Sequence, residues 1–121
     1  MLEKSQETLS YLNFLSLVQE VRASSEFKQL SPIEERLLNH LASVWDTERK
    51  ITVLQAMGVD LEISHSTSHR LLKCLRLKQF IVLLNDERDT RVKYVLPTEK
   101  ANAYFAALGK CLHQALKTTS S

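Results

Sequence analysis

From residue 5 to residue 24 the chain places Tyr11, Phe14, Leu15 and Val18 at i, i+3, i+4 and i+7, the spacing of an amphipathic helix. Leu9, Leu12, Leu17 and Val21 widen that apolar stripe beyond what a helix packed on one side needs. Each such side chain is worth roughly 1.5–3 kcal/mol when fully buried, so a second surface, another copy of the chain, is expected to cover the excess. Residues 31–47 hold a second helix that buries Ile33, Leu37, Leu38, Leu41, Val44 and Trp45. Its start is encoded locally: Ser31 as N-cap, Pro32 at the first helical position, and Glu34 closing a Ser-x-x-Glu capping box.

The pattern then shortens. Lys50-Ile51-Thr52 reads as a brief extended segment, with Thr52 capping a short helix to about Met57 that Gly58 loosens or ends. A further helix starts near Ser64 and runs to about Lys78, burying Leu71, Leu72 and Leu75. Phe80–Asn85 and Val92–Leu96 are apolar strands around the charged tip Asp86-Glu87-Arg88-Asp89-Thr90-Arg91, and Val92, Tyr94 and Leu96 alternate onto one face. Thr98 caps a last helix to about Lys117, with Ala101, Tyr104, Phe105, Leu108, Leu112 and Ala115 at helical spacing. The order helix, helix, short strand, helix, helix, strand, strand, helix is that of a winged helix-turn-helix: mainly α, with a small β-wing. One domain over 1–121 is expected, with 51–97 as helix-turn-helix plus wing and 5–30 and 98–117 as dimerisation helices.

Composition narrows the function. At 121 residues and 44% hydrophobic content the chain can fill one core, and it holds no apolar run long enough for a membrane span. The first residues lack the basic-then-apolar order of a signal peptide, so a cytoplasmic, nucleoid-associated protein is expected. Cys74 and Cys111 fit no metal spacing and read as reduced structural thiols, with a redox-sensing role as the sharper alternative. Net charge is only +2, but its distribution is uneven. Residues 1–48 carry eight acids against four bases, whereas residues 64–93 carry seven bases against three acids. Positive charge is thus concentrated on the half with the polar-tipped helix and the hairpin, as contact with phosphate requires.

That half also carries the candidate chemistry. Base edges in a major groove are read from the N-terminal part of a helix, where His65, Ser66, Ser68 and His69 lie, each able to donate or accept a hydrogen bond. Positions 65, 68, 69 and 72 are taken to share the reading face. Thr67 and Arg70, slightly off that face, and Lys73, one turn on, suit phosphates. At the hairpin tip Arg88 and Arg91 can enter a narrow minor groove, Asp89 is expected to hold a neighbouring arginine in one rotamer, and Lys93 adds a nonspecific phosphate contact. His65 and His69 also have the i, i+4 spacing of a metal pair, but no third ligand is suggested; His40 and His113 look like ordinary helix residues. Ser64-His65 and Ser68-His69 are sequence neighbours that point apart on a helix, and with Gly58 and Gly109 as its only glycines the chain has no phosphate-cradling loop, so catalysis is not expected.

With these residues in view, the chain resembles the multiple-antibiotic-resistance-regulator (MarR) family of bacterial winged-helix transcription factors over roughly Leu30 to Leu116. The resemblance rests on Ser64-x-Ser66-Thr67-x-x-Arg70-x-x-x-x-Leu75, on Asp89-Thr90-Arg91 in the wing, and on Leu96-Pro97-Thr98-Glu99-Lys100 leading into the last helix. It implies an obligate homodimer with intertwined first and last helices, repression at a near-palindromic operator, and in many members release from DNA by a small-molecule effector; no cofactor is implied. By position, Ser66, Thr67 and Arg70 match the family's recognition-helix contacts and Arg91 its wing arginine. Tyr11, Phe14, Leu15, Val18, Tyr104, Phe105, Leu108 and Leu112 are the expected dimer contacts. Gln79 stands where the family usually has glycine, which implies a different helix C-cap; Pro97 precedes Thr98, and Ala101 replaces the usual glycine. Two rival readings keep the fold but change its use. One is a protein-interaction module that does not read DNA, the other an accessory factor in replication or plasmid maintenance.

Overall fold

The computed structural model describes residues 3–46, 50–58 and 62–119. Among them the elements follow the expected order: α1 (Gln6–Ala23), α2 (Pro32–Trp45), β1 (Ile51–Thr52), α3 (Val53–Met57), α4 (His65–Leu77), β2 (Ile81–Asn85), β3 (Lys93–Pro97) and α5 (Glu99–Thr119). They group into two units, Met1–Gln29 with Ala103–Ser121, and Leu30–Asn102. No helix of the described residues is long and apolar enough to cross a membrane.

The Leu30–Asn102 unit is built on locally encoded helix starts. Ser31 Oγ accepts from the Glu34 N–H (3.3 Å) while the Glu34 carboxylate accepts from the Ser31 N–H (2.7 Å), the reciprocal box that satisfies two otherwise orphaned donors. Thr52 and Gln55 form a second box at the start of α3, of which only the Thr52 half was expected. Ser64 Oγ accepts from the Thr67 N–H at the start of α4. The core is then closed by Leu37, Leu38 and Leu41 of α2, Leu71, Leu72 and Leu75 of α4, and Phe80, Ile81 and Val95.

The three strands are antiparallel in the order β1-β3-β2, with Val95 opposite both Ile51 and Leu83. Val92, Tyr94 and Leu96 are only half-buried; the residue of β3 that is fully enclosed is Val95, on the other face. Lys93 and Pro97, on the same face as Val95, are exposed and half-buried, so β3 enters the core at Val95 alone. Trp45 Nε1 donates to the Val95 carbonyl (3.0 Å), tying the end of α2 to that strand.

The end of α4 corrects the expectation from Gln79. Its φ is 68°, the left-handed value a glycine would supply. The Phe80 N–H donates to the Leu75 carbonyl and the Gln79 N–H to the Arg76 carbonyl, the paired bonds of a Schellman cap. The C-cap is therefore the glycine-type cap, made by a residue with a Cβ. A non-glycine residue in this region costs about 1–2 kcal/mol, which the surrounding bonds must offset.

In the other unit Ser5 caps α1 by accepting from the Thr8 N–H. Val18, Phe27, Tyr104, Cys111 and Ala115 are buried, and the Phe27 and Tyr104 rings meet edge to face with centroids 5.0 Å apart. Asn13 Nδ2 donates to Thr118 Oγ1. Of the expected dimer contacts, Val18 and Tyr104 are already enclosed within the chain and present no surface. Tyr11 and Leu112 are exposed, Phe14, Leu15, Phe105 and Leu108 half-buried, and Leu9, Leu12 and Leu116 add exposed apolar area.

Candidate nucleic-acid interface

Helix α4 spends its first turn on hydroxyls that bond one another. Ser64 Oγ donates to Thr67 Oγ1 (2.9 Å) and lies 3.1 Å from Ser66 Oγ, so the cap, Ser66 and Thr67 form one small network. Burial of Leu71, Leu72 and Leu75 then fixes the rotation of the helix. With 3.6 residues per turn, Ser68 lies on that same inward face and is 2% exposed. This corrects the expected reading face: Ser68 packs inside the unit and cannot reach a base edge. The outward stripe is His65, His69, Lys73 and Arg76, with Ser66 and Arg70 beside it, all exposed; Thr67 is half-buried.

Arg76, counted above only as charge, extends the stripe. His69, Lys73 and Arg76 line a shallow groove with Leu72, Val53 of α3 and Leu83 of β2, so the basic face continues along the helix toward the first wing strand. The signal was in the sequence: Arg76 is three residues beyond Lys73 and seven beyond His69, one turn and two turns away.

The hairpin tip is ordered by its own carboxylates. Asp89 Oδ1 accepts from Arg91 Nε (3.0 Å) and from the Arg91 N–H (3.1 Å), while Asp89 Oδ2 accepts from the guanidinium at 3.2 Å. This two-pronged grip holds one arginine rotamer while the Arg91 side chain stays 88% exposed. Asp86, to which the sequence pattern assigned no role, anchors the other side of the turn. Its carboxylate accepts from the Arg88 N–H (2.9 Å) and from the Tyr94 hydroxyl (2.9 Å). The Asp that opens a turn commonly bonds the backbone two residues on, so this role was available from position alone. Asn85 Nδ2 closes the loop by donating to the Thr90 carbonyl.

Charge follows from these bonds. The Arg88 N–H and the Tyr94 hydroxyl hold the Asp86 carboxyl below its ordinary range, the Arg91 guanidinium does the same for Asp89, and the bond to Asp86 raises the Tyr94 hydroxyl. Both tip carboxylates are therefore ionised at neutral pH and spent on geometry. Arg88 and Lys93 are exposed on either side of Arg91. Lys50 adds a cation 5.1 Å from the Tyr94 ring centroid at the wing root. The unit thus carries a basic helix face and an arginine-tipped hairpin, with the hairpin's first strand lining the same groove as the helix.

No family model and no curated protein sequence matches the chain. Solved structures do. FabT of Streptococcus pneumoniae, solved in complex with DNA, is 25% identical over 93% of this chain and 76% of its own, with a TM-score of 0.59. The heme sensor protein PefR of Streptococcus agalactiae, solved with heme, is 23% identical over 89% and 67%, with a TM-score of 0.58. A transcriptional regulator of Thermotoga maritima is 15% identical over 86% and 70%, with a TM-score of 0.64. The chain shares a winged-helix fold with these structures, one a transcriptional regulator and one solved on DNA, and that is the architecture the residues suggest.

Proposed function

We propose that the protein is a DNA-binding transcriptional regulator that acts as a homodimer. Each copy would lay α4 in a major groove, with His65, Ser66 and His69 at base edges and Thr67, Arg70 and Lys73 at phosphates. Arg91, flanked by Arg88 and Lys93, would enter the adjoining minor groove, where negative potential is strongest. The observation that carries this reading is the Asp89–Arg91 pair. An exposed arginine is normally mobile, but here two side-chain bonds hold the guanidinium ready while leaving it open to a phosphate or a groove. The fold shared with FabT, solved on DNA, supports the same assignment.

Two copies would present two α4 helices to a near-palindromic site with half-sites about 10–10.5 bp apart. The exposed Leu9, Tyr11, Leu12, Leu112 and Leu116 supply apolar surface for pairing. Repression is the expected direction of control. That PefR was solved with heme supports a small-molecule effector for this chain as well, of unspecified chemistry. Selection of bound duplexes from a random pool, followed by a titration at several salt concentrations, tests the proposal. Enrichment of a two-fold symmetric motif is the expected result, and no duplex binding even in dilute buffer would overturn it.

A further inference from the structure

The C-terminal end of α4 is capped and is also tied by side chains to α2 and α5. Lys78 Nζ donates to both oxygens of Glu34, at 2.7 and 2.9 Å, and that carboxylate is buried in the first turn of α2. Lys100 Nζ, in the first turn of α5, donates to the Lys78 carbonyl (3.0 Å) and stands 4.7 Å from the Phe80 ring centroid. Thr98 Oγ1 donates to the Gln79 carbonyl (2.5 Å), and the Thr98 N–H donates to the Phe80 carbonyl (3.2 Å). Three consecutive carbonyls after α4 are thus taken up by two residues at the start of α5. The Schellman cap takes the Leu75 and Arg76 carbonyls; these further bonds take those of Lys78, Gln79 and Phe80 and, in doing so, tie the end of α4 to the start of α5.

We infer that Glu34, Lys78, Thr98 and Lys100 form a clamp that sets the direction of α4, and that Thr98 and Lys100 are positioning residues for DNA recognition. The inference rests on the DNA-binding reading above and names how its helix is aimed. The geometry gives it leverage. With 13 residues α4 is about 20 Å long, so a tilt of roughly 5° at Lys78 displaces the His65 end by about 1.7 Å. Productive contacts tolerate about 0.5 Å. A small slackening at one end therefore misplaces the base-reading end, while phosphate contacts made by long flexible side chains adjust. The clamp controls specificity more than grip.

Lys100→Met tests this, because it keeps the stem over Phe80 and removes only the charged donor. The full chain and the variant are titrated against the duplex selected by the parent and against a random duplex. Specific affinity is expected to fall about tenfold, the worth of one charge-assisted hydrogen bond, with random-duplex affinity and salt slope unchanged and with Lys100→Arg restoring the ratio. If the parent binds and Lys100→Met keeps the parent's specific-to-random ratio, the clamp is wrong and the DNA reading stands. A parallel fall in both affinities, tracking a lowered melting temperature, likewise reduces Lys100 to a structural contact and overturns the clamp. A parent that binds no duplex removes the DNA reading and the clamp together.

Discussion

Ser68 and His69 are adjacent in sequence and opposite in consequence. His69 is exposed beside Lys73 and Arg76, whereas Ser68 is enclosed with Leu71, Leu72 and Leu75. In an operator-selection experiment, His69→Ala is expected to relax preference at one base pair by about 1–3 kcal/mol, while Ser68→Ala leaves the selected motif unchanged. Arg91→Ala should weaken binding and lower the salt slope by about one, the counterions that one cation in the groove displaces. Binding equal to the parent at all salt concentrations would remove Arg91 from the interface. Gln79 makes a prediction of the other sign: with φ at 68°, Gln79→Gly should raise stability by about 0.5–1 kcal/mol in denaturant titration. The identity of the wing arginine was legible in Asp89-Thr90-Arg91, because its partner lies two residues away. The burial of Ser68 was harder to read: a polar side chain at that position fits a reading face until the three leucines fix the rotation.

At the scale of elements, the helix starts were the most legible part of the chain. Ser31-Pro32-x-Glu34 and Ser64 name their own caps within four residues, and the structure realises each. Pairings between distant residues were not. Glu34 and Lys78 lie 44 positions apart, and nothing local distinguishes them from surface charges. Burial works to raise the Glu34 carboxyl's pKa, but the Lys78 ammonium and the Ser31 N–H outweigh it and hold the group below 4.5. A depressed carboxyl stabilises the fold above its unfolded pKa and loses that contribution as pH falls through the folded value. An acid titration should accordingly show part of the α2–α4 stability disappearing below about pH 4.5, and Glu34→Gln should flatten that loss. Lys78→Met should cost of order 2–3 kcal/mol, less than the roughly 3–5 kcal/mol of a fully buried pair because the lysine still reaches solvent. Likewise β3 could not be assigned its core face from alternation alone: Val92, Tyr94 and Leu96 carry the apolar alternation, yet the buried residue is Val95, whose carbonyl meets Trp45 fifty positions away.

For the whole molecule, the telling feature is α1, which is apolar on more than one side. Leu9, Tyr11 and Leu12 remain 41–59% exposed while Val18 is enclosed. If pairing covers this surface, sedimentation should show a dimer at micromolar concentration, and Leu12→Glu should shift it to monomer with loss of operator binding. A parent that stays monomeric at high concentration would sink the dimeric part of the proposal and leave the winged-helix fold untouched. The breadth of that stripe was plain in the sequence, but the division between what the chain buries itself and what it leaves open was not. Tyr104, expected at a subunit interface, is instead taken up edge to face by Phe27.

Trp45 gives the molecule a built-in optical gauge. It is the chain's single tryptophan, and its indole N–H is engaged by the strand that roots the wing. Light absorbed by that indole is emitted from one known place, so a red shift marks water arriving between α2 and β3. Protein emission excited at the red edge of the indole band can be followed with duplex present, so a single cuvette can report whether the scaffold loosens when the operator is grasped or let go.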